Sequence, residues 1–282
     1  MKTSAHFINF NATILPSVTP LLTADNRGFR YGDGIFETMA VKNGRIRLGG
    51  YHFERLATGA RLLQFEIPFS LIPGQLTHQI QELCERNGHS LSARVRLVLF
   101  RKDMGLPDAE DPLPDYIIQS WPLAPGDDEL NTKGWSLGIF PDGRKACDPL
   151  SNLKSNNYLL YVLAASYARK QGSDDCLVLN SQGRIADSTI ANLFYIRQNK
   201  IYTPPLSEGC VAGVMRRRLL ELLPSAGFEC SERPVTIEDL ACADEVFLTN
   251  ALKGIRWIAS FRHRTYTHEL TTSIYRELRK VL

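Results

Sequence analysis

The 282-residue sequence predicts a two-domain α+β fold. Three observations lead there. Short strand-like runs and helical runs follow one another without a strict β-α-β alternation. The length exceeds what one core of ordinary size requires. And Pro122-Leu-Ala-Pro-Gly-Asp-Asp-Glu129 breaks every periodicity with prolines, a glycine and three acids, as an interdomain linker does. With the linker at 122–130, the chain divides into a small α/β domain, 1–121, and a large domain, 131–282.

In the small domain, residues 7–11 read as a strand running into a turn, and residues 35–41 as a strand ending at the hairpin signal Lys42-Asn43-Gly44-Arg45. From Gly50 the apolar spacing becomes helical, through Leu56 and Leu62, and the helix is expected to run to the stop at Pro68. A second helix covers 72–86 and closes at Asn87-Gly88. Residues 94–101 alternate polar and apolar, as a half-buried strand does, and 116–121 form a further strand. In the large domain, the apolar run after Asn157 predicts a helix, followed by a strand at 175–179 and a hairpin from 191–196 and 200–202. A loop at 203–209 leads to a helix over about 212–223, then a short helical turn at 236–240 and a strand at 245–248.

Composition narrows the function classes. A formal net charge of +3 and the absence of basic runs give no nucleic-acid tail, and Arg216-Arg-Arg218 reads as a solvated helix face. Six cysteines lie scattered without C-x-x-C spacing, so reduced thiols in a cytosolic protein are expected and no metal site. The N-terminus lacks an apolar core of leader length and no segment approaches bilayer-spanning length, so the expectation is a soluble cytoplasmic protein with no membrane partner. The histidines show no metal or triad spacing, and His52 reads as a packing or hydrogen-bonding residue.

The chemistry starts at Lys154, in Ser151-Asn-Leu-Lys-Ser-Asn-Asn157. On spacing alone a solvated lysine is the plainer reading. At the mouth of a predicted helix, however, the positive end of the dipole disfavours its ammonium form, and a lysine so disposed can form an imine with a carbonyl cofactor. Three other segments could cradle a phosphate: Gly209-Cys-Val-Ala-Gly213-Val-Met215 before a helix, Thr249-Asn250-Ala251 after a strand, and Arg55 on a helix face. Each alone is weak. Joined to Lys154 and to Asp187, an acid able to keep a pyridine nitrogen protonated, they match a pyridoxal 5′-phosphate site.

Motifs in order along the chain make this specific. Arg27-Gly-Phe-Arg-Tyr31-Gly-Asp-Gly-Ile-Phe36-Glu37, His52-Phe-Glu-Arg55-Leu56 and Arg96-Leu-Val-Leu-Phe-Arg101 resemble the small-domain motifs of the class IV aminotransferases. Lys154-Ser-Asn-Asn, Asp187-x4-Asn192-Leu-Phe194, Thr203-Pro-Pro-Leu206 and Gly213-Val-Met-Arg216 resemble that family's large-domain motifs. The resemblance implies the D-amino-acid aminotransferase-like fold of the fold-type IV pyridoxal phosphate enzymes and a homodimer. It implies Lys154 as the Schiff-base lysine and Asp187 as partner of the pyridine nitrogen. Arg55 and the amides of Val214, Met215, Asn250 and Ala251 would form the phosphate cradle, Val211 would pack on the ring, and Tyr31 and Arg101 would lie in the substrate region.

The chain departs from the family pattern at several positions. Asp187 stands where glutamate is usual, Met215 and Ala251 where hydroxyl residues are frequent, Lys102 where a glycine commonly follows the arginine, and Arg256-Trp257-Ile258 where proline and valine are usual. Within the family, Thr38 and Thr249-Asn250-Ala251-Leu252 favour 4-amino-4-deoxychorismate lyase, which forms 4-aminobenzoate and pyruvate. In that reading Arg101 and Asn250 hold the carboxylates of the amino-acid-like substrate and Thr38 relays a proton. A branched-chain or D-amino-acid aminotransferase stays open, as does a homologue that binds the cofactor without catalysis. Glu37 is expected to support the site or to form a simple strand salt bridge.

Overall fold

A computed structural model describes residues 6–102 and 113–282, and the chain divides into two units. The first takes the residues up to Asp127 together with Lys154–Asn157, and the second takes Asp128–Leu153 and Tyr158–Leu282. The first five residues, part of the segment read for a leader, lie outside the described residues.

Six strands of the first unit, among the described residues, form one antiparallel sheet: β1 (Phe7–Phe10), β2 (Thr13–Pro16), β3 (Gly34–Lys42), β4 (Arg45–Ile46), β5 (Ser92–Arg101) and β6 (Pro114–Pro122), in the order β2-β1-β6-β5-β3-β4. Its helices are α1 (Arg27–Tyr31), α2 (Gly49–Leu62) and α3 (Pro73–Arg86). Alternation along β5 buries Ala93, Val95, Leu97 and Leu99 on one face, where α3 adds Leu76, Ile80 and Leu83 at i, i+4, i+7. Each of the buried valine, leucine and isoleucine side chains contributes about 2 kcal/mol. Tyr116 of β6 donates its hydroxyl to Gln79 Oε1 of α3 at 2.9 Å, so no polar atom of that contact is left dry.

The β3–β4 turn has Asn43 and Gly44 at φ 51° and 72°, the left-handed pair that a two-residue hairpin demands. Helix α2 stops at Leu62 and does not reach Pro68. Gln64 takes φ 57°, its N–H bonds Arg61 O, and Phe65 N–H bonds Ala60 O at 2.8 Å while its ring is buried. This is a complete Schellman stop, hidden from the sequence because glutamine occupies the position usually held by glycine.

The second unit holds β7 (Trp135–Lys145), β8 (Asp175–Asn180), β9 (Ile185–Ser188), β10 (Asn192–Arg197), β11 (Lys200–Thr203), β12 (Cys230–Glu232), β13 (Glu245–Asn250), β14 (Gly254–Phe261) and β15 (Arg264–Thr265). The order is β12-β11-β10-β13-β14-β7-β8-β9, with β15 on β14; the joins β11/β12, β14/β7 and β7/β8 are parallel and the rest antiparallel. Its helices are α4 (Leu159–Lys170), α5 (Val214–Ser225), α6 (Ile237–Ala241) and α7 (Glu269–Arg279). Thr236 and Asp239 close a capping box at α6. The buried Glu245 carboxylate accepts from Leu270 and Thr271 N–H at the start of α7.

One placement differs from the sequence reading. Lys154–Asn157 was assigned to the large domain and to a helix mouth, but α4 starts only at Leu159 and the tetrapeptide packs with the first unit. Phe36 N–H donates to Lys154 O at 2.8 Å, Asn156 N–H donates to Gly34 O at 2.9 Å, and Ile35 and Ser155 form a β-bridge. The lysine therefore sits on extended, strand-paired backbone. Lys154 comes five residues before α4 begins and so is not part of that helix's first turn, where a dipole argument would apply.

Candidate active site

In the first unit, Lys154 Nζ stands 4.4 Å from the centroid of the Phe36 ring, and the Arg96 guanidinium lies 4.0 Å from the same centroid. Thr38, two residues beyond Phe36 on β3, shares its face and pairs in register with Arg96. Gly34 permits the close approach of the lysine segment, because a Cβ there would overlap Leu99 O and meet Asn156 Nδ2 at 2.5 Å.

Arg55 is held from behind. Its Nε and Nη2 fork onto Glu37 at 2.7 and 2.5 Å, and His52 Nδ1 lies 2.6 Å from the same carboxylate. Burial by itself would raise the Glu37 pKa, but Arg55 and then His52 more than offset it and bring the carboxyl down to about 2. Burial lowers the His52 pKa, against the pull of Glu37. A neutral His52 must then carry its proton on Nδ1 to donate to the carboxylate. Glu37 thus forms the expected salt bridge with Arg55 and bonds His52 as well, holding both side chains.

In the second unit, Asp187 on β9 is 2 % exposed. Its Oδ2 accepts from Val211 N–H at 3.0 Å and from the Tyr161 hydroxyl at 2.9 Å, and Lys145 Nζ lies 3.8 Å away. Lys145 also donates to the Tyr161 hydroxyl at 2.6 Å and to Ser151 O at 2.8 Å. Burial, followed by Asp187 itself, pushes the Tyr161 pKa well above its ordinary value, so the phenol keeps its proton and donates it to the acid. Lys145 and Tyr161 were missed in the sequence. Tyr161 lay within an apolar helical run and looked like core, and Lys145 carried no motif.

Asn192 explains its place in the Asp187-x4-Asn192 motif. Its Nδ2 donates to Val211 O at 2.8 Å, pinning the turn that presents Val211 to Asp187. A Cβ on Gly213 would overlap Asn192 Oδ1, so any other residue there must displace the Asn192 side chain. Gly213 is the N-cap of α5 and no side chain caps that helix, which leaves the first-turn amides of Val214 and Met215 aimed outward as an anion site is. On β13, Thr249 Oγ1 is buried with no hydrogen-bond partner among the described residues, beside Asn192, its register partner on β10. Within the second unit, the anchored acid, the uncapped helix amides and the Thr249 hydroxyl fit a phosphorylated pyridine; the first unit, taken by itself, carries a lysine and a buttressed arginine.

The remaining expected residues fall as follows. Asn250 Oδ1 accepts from Leu252 and Lys253 N–H at 3.0 and 2.8 Å, so its side chain builds the β13–β14 turn, with Ala251 in that turn, and only its Nδ2 can face a ligand. Tyr31 ends α1 and is 50 % exposed. Arg101 bonds Asp33 Oδ2 at 3.1 Å through Nε and Leu63 O at 2.6 Å through Nη2, and stacks on Phe65. These contacts tie the start of β3 to the end of α2, a structural task the sequence reading did not foresee for it.

Comparison with known proteins shows the family. Residues 34–261 match the family model described as amino-transferase class IV. Aminodeoxychorismate lyase of Vibrio harveyi is 31 % identical over 234 residues, covering 82 % of this chain and 83 % of that protein. D-alanine aminotransferase of Bacillus licheniformis is 26 % identical over 264 residues, covering 91 % and 88 %. The crystal structure of the Escherichia coli branched-chain amino acid aminotransferase superposes with a TM-score of 0.88 at 23 % identity, covering 98 % of this chain and 94 % of that one. The chain belongs to the class IV aminotransferases, a family of pyridoxal phosphate-dependent enzymes.

Proposed function

We propose that the enzyme is a 4-amino-4-deoxychorismate lyase, releasing pyruvate and 4-aminobenzoate. The observation that carries the reading is the hydroxyl of Thr38 on the sheet face that holds Phe36, over whose ring Lys154 Nζ lies at 4.4 Å. A hydroxyl beside the reacting amine suits a reaction that must hand a proton to a departing group. The similarity to the Vibrio harveyi lyase supports it further.

In this proposal Lys154 and Arg55 of the first unit, and Asp187, Val211, Val214, Met215, Asn250 and Ala251 of the second, hold the cofactor. When bound, pyridoxal phosphate supplies an electron sink for the pair left as a bond to the amine-bearing carbon breaks. Lys154 Nζ takes the proton from that carbon. Asp187, fixed by Val211 N–H and the Tyr161 hydroxyl, keeps a proton at the ring nitrogen. Arg55, with Nε and Nη2 bonded to Glu37, would supply the positive charge that meets the phosphate. The C–O bond to the enol-pyruvyl group then breaks, the electron pair from the lost C–H completes the aromatic ring, and Thr38 passes a proton to the leaving group, which becomes pyruvate. A homodimer in which α1 meets the partner accords with the exposure of Phe29 (74 %) and Tyr31 (50 %) on that helix. The test is direct: pyruvate release from aminodeoxychorismate, measured beside keto-acid-dependent turnover of branched-chain and D-amino acids. Transamination without pyruvate release from aminodeoxychorismate would move the enzyme to the aminotransferases.

A further inference from the structure

The half-buried face of the first-unit sheet carries cations that the reaction so far has not used. Alternation along β5 sets Arg94, Arg96 and Val98 on this face, opposite to the buried Val95 and Leu97. Register places Arg96 between Thr38 of β3 and Gln119 of β6, and Arg94 between Ala40 and Trp121. Arg96 and Lys154 both face the Phe36 ring, so Arg94 continues a row of positive charge that begins at the reacting lysine. None of the four flanking positions, Ala40, Thr38, Gln119 and Trp121, is a carboxylate.

Arg94 stands out in this row. Its guanidinium lies 5.4 Å from the centroid of the Trp121 ring, and its Nε is buried with no hydrogen-bond partner among the described residues. A buried, unsatisfied donor costs about 1–3 kcal/mol unless something supplies the acceptor. Nε belongs to the edge of the guanidinium that grips a carboxylate with two parallel bonds. The indole beside it offers a flat apolar wall.

We propose that Arg94 is the receptor for a second carboxylate of the substrate, on a wall formed by Trp121, and that it restricts the enzyme to substrates bearing two carboxylates. The inference rests on Lys154 being the amine that meets the substrate. Arg94 stands two residues, about 7 Å, along the strand from Arg96, which shares the Phe36 ring with Lys154, so the carboxylate Arg94 takes lies several ångströms from the amine. That spacing suits a cyclic amine with a ring carboxylate and an enol-ether carboxylate, and equally an acyclic amino dicarboxylate. An amino acid with an aliphatic side chain would press a methyl group against Arg94 and leave Nε dry. Arg94 therefore acts as a specificity determinant through both attraction and exclusion.

The test uses holoenzyme and two probes of equal length, glutarate and valerate, in calorimetric titrations of wild type, Arg94→Met and Arg94→Lys. Both variants keep a long stem on Trp121, so packing survives. Wild type should bind glutarate about tenfold or more tightly than valerate, as one charge-assisted contact implies. Arg94→Met should erase that preference and Arg94→Lys should restore part of it, with the visible absorbance of bound cofactor unchanged in all three. In turnover, KM for the dicarboxylate should rise about tenfold in Arg94→Met while kcat changes little. Pyruvate release from aminodeoxychorismate and transamination of glutamate tell which dicarboxylate it is. A wild-type enzyme indifferent to the second carboxylate, or an Arg94→Met variant that keeps the preference, overturns the proposal. Failure of Lys154 to carry the cofactor would appear separately, as a borohydride-fixed label on another residue.

Discussion

Replacing Glu37 by glutamine removes the carboxylate that Arg55 and His52 share, and its effect can be worked from the structure. The Glu37 carboxyl falls from an ordinary 4.5 to about 2, burial pushing it up and Arg55 and His52 pulling it further down. At about 1.4 kcal/mol per pH unit, the ionised form gains about 3 kcal/mol in the folded protein. Removing one partner of a buried pair, measured generally, costs about 3–5 kcal/mol, in the same range. Glu37→Gln should therefore lose about 3 kcal/mol at pH 7. Urea unfolding followed by the fluorescence of Trp121, which lies on β6 of the same unit, reads the loss. The sign with pH is fixed. A depressed carboxyl stabilises above its unfolded pKa, and that stability disappears as pH falls from 4.5 toward about 2. Wild type should show this acid limb, and the variant should lack it. Cofactor affinity should fall as well, because Arg55 loses the anchor that aims it. A variant within about 0.5 kcal/mol of wild type, with the same acid limb, would refute the reasoning.

Further tests address the other parts of the site. Borohydride reduction of holoenzyme followed by peptide mapping should place a pyridoxyl label on Lys154, and Lys154→Ala should carry none. Asp187→Asn should lower kcat by about a hundredfold or more while far-ultraviolet circular dichroism is unchanged. Gly213→Ala should weaken cofactor binding, measured by equilibrium dialysis, because the added methyl overlaps Asn192 Oδ1 and shifts the turn before α5. Burial raises the Cys210 thiol to about 12 and the Cys84 and Cys176 thiols to about 11, so alkylation at pH 8 should label the exposed Cys147 and Cys242 first, as read by mass spectrometry.

Much of the fold was legible wherever one physical signal acted alone. The alternation in β5, the Asn43-Gly44 hairpin and the start of α3 at Pro73 each follow from local sequence. Elements set by tertiary contact were not legible. Strand β7 contains Pro141 and Gly143 and an irregular register against β8, which hides its strand period. Strand β14 carries Arg256 and Trp257 in a buried run, where their polar atoms reach Glu129 O and Asn131 O. The site divided in the same way. Lys154, Asp187 and the α5 turn announce themselves through motif residues. The supports of Asp187, namely Lys145 and Tyr161, are joined to it only by folding, since Tyr161 is 26 residues from it in sequence. The bonds of Arg101 to Asp33 and to Leu63 O were not legible either, because a guanidinium looks the same in sequence whatever it meets in the fold.

The tetrapeptide that carries Lys154 lies along the margin of β3 that β4, pairing only at Val41 and Lys42, does not reach. An uncovered strand margin offers its amides and carbonyls to any passing chain. Here Phe36 N–H and Gly34 C=O are already taken by a segment reached after the chain has built β7. Cutting the polypeptide after Asp127 would strip that cover, so the sheet-forming portion made by itself would be sticky and short of its reactive amine. Whoever divides this molecule for engineering must carry residues 154–157 along with the piece that precedes the cut.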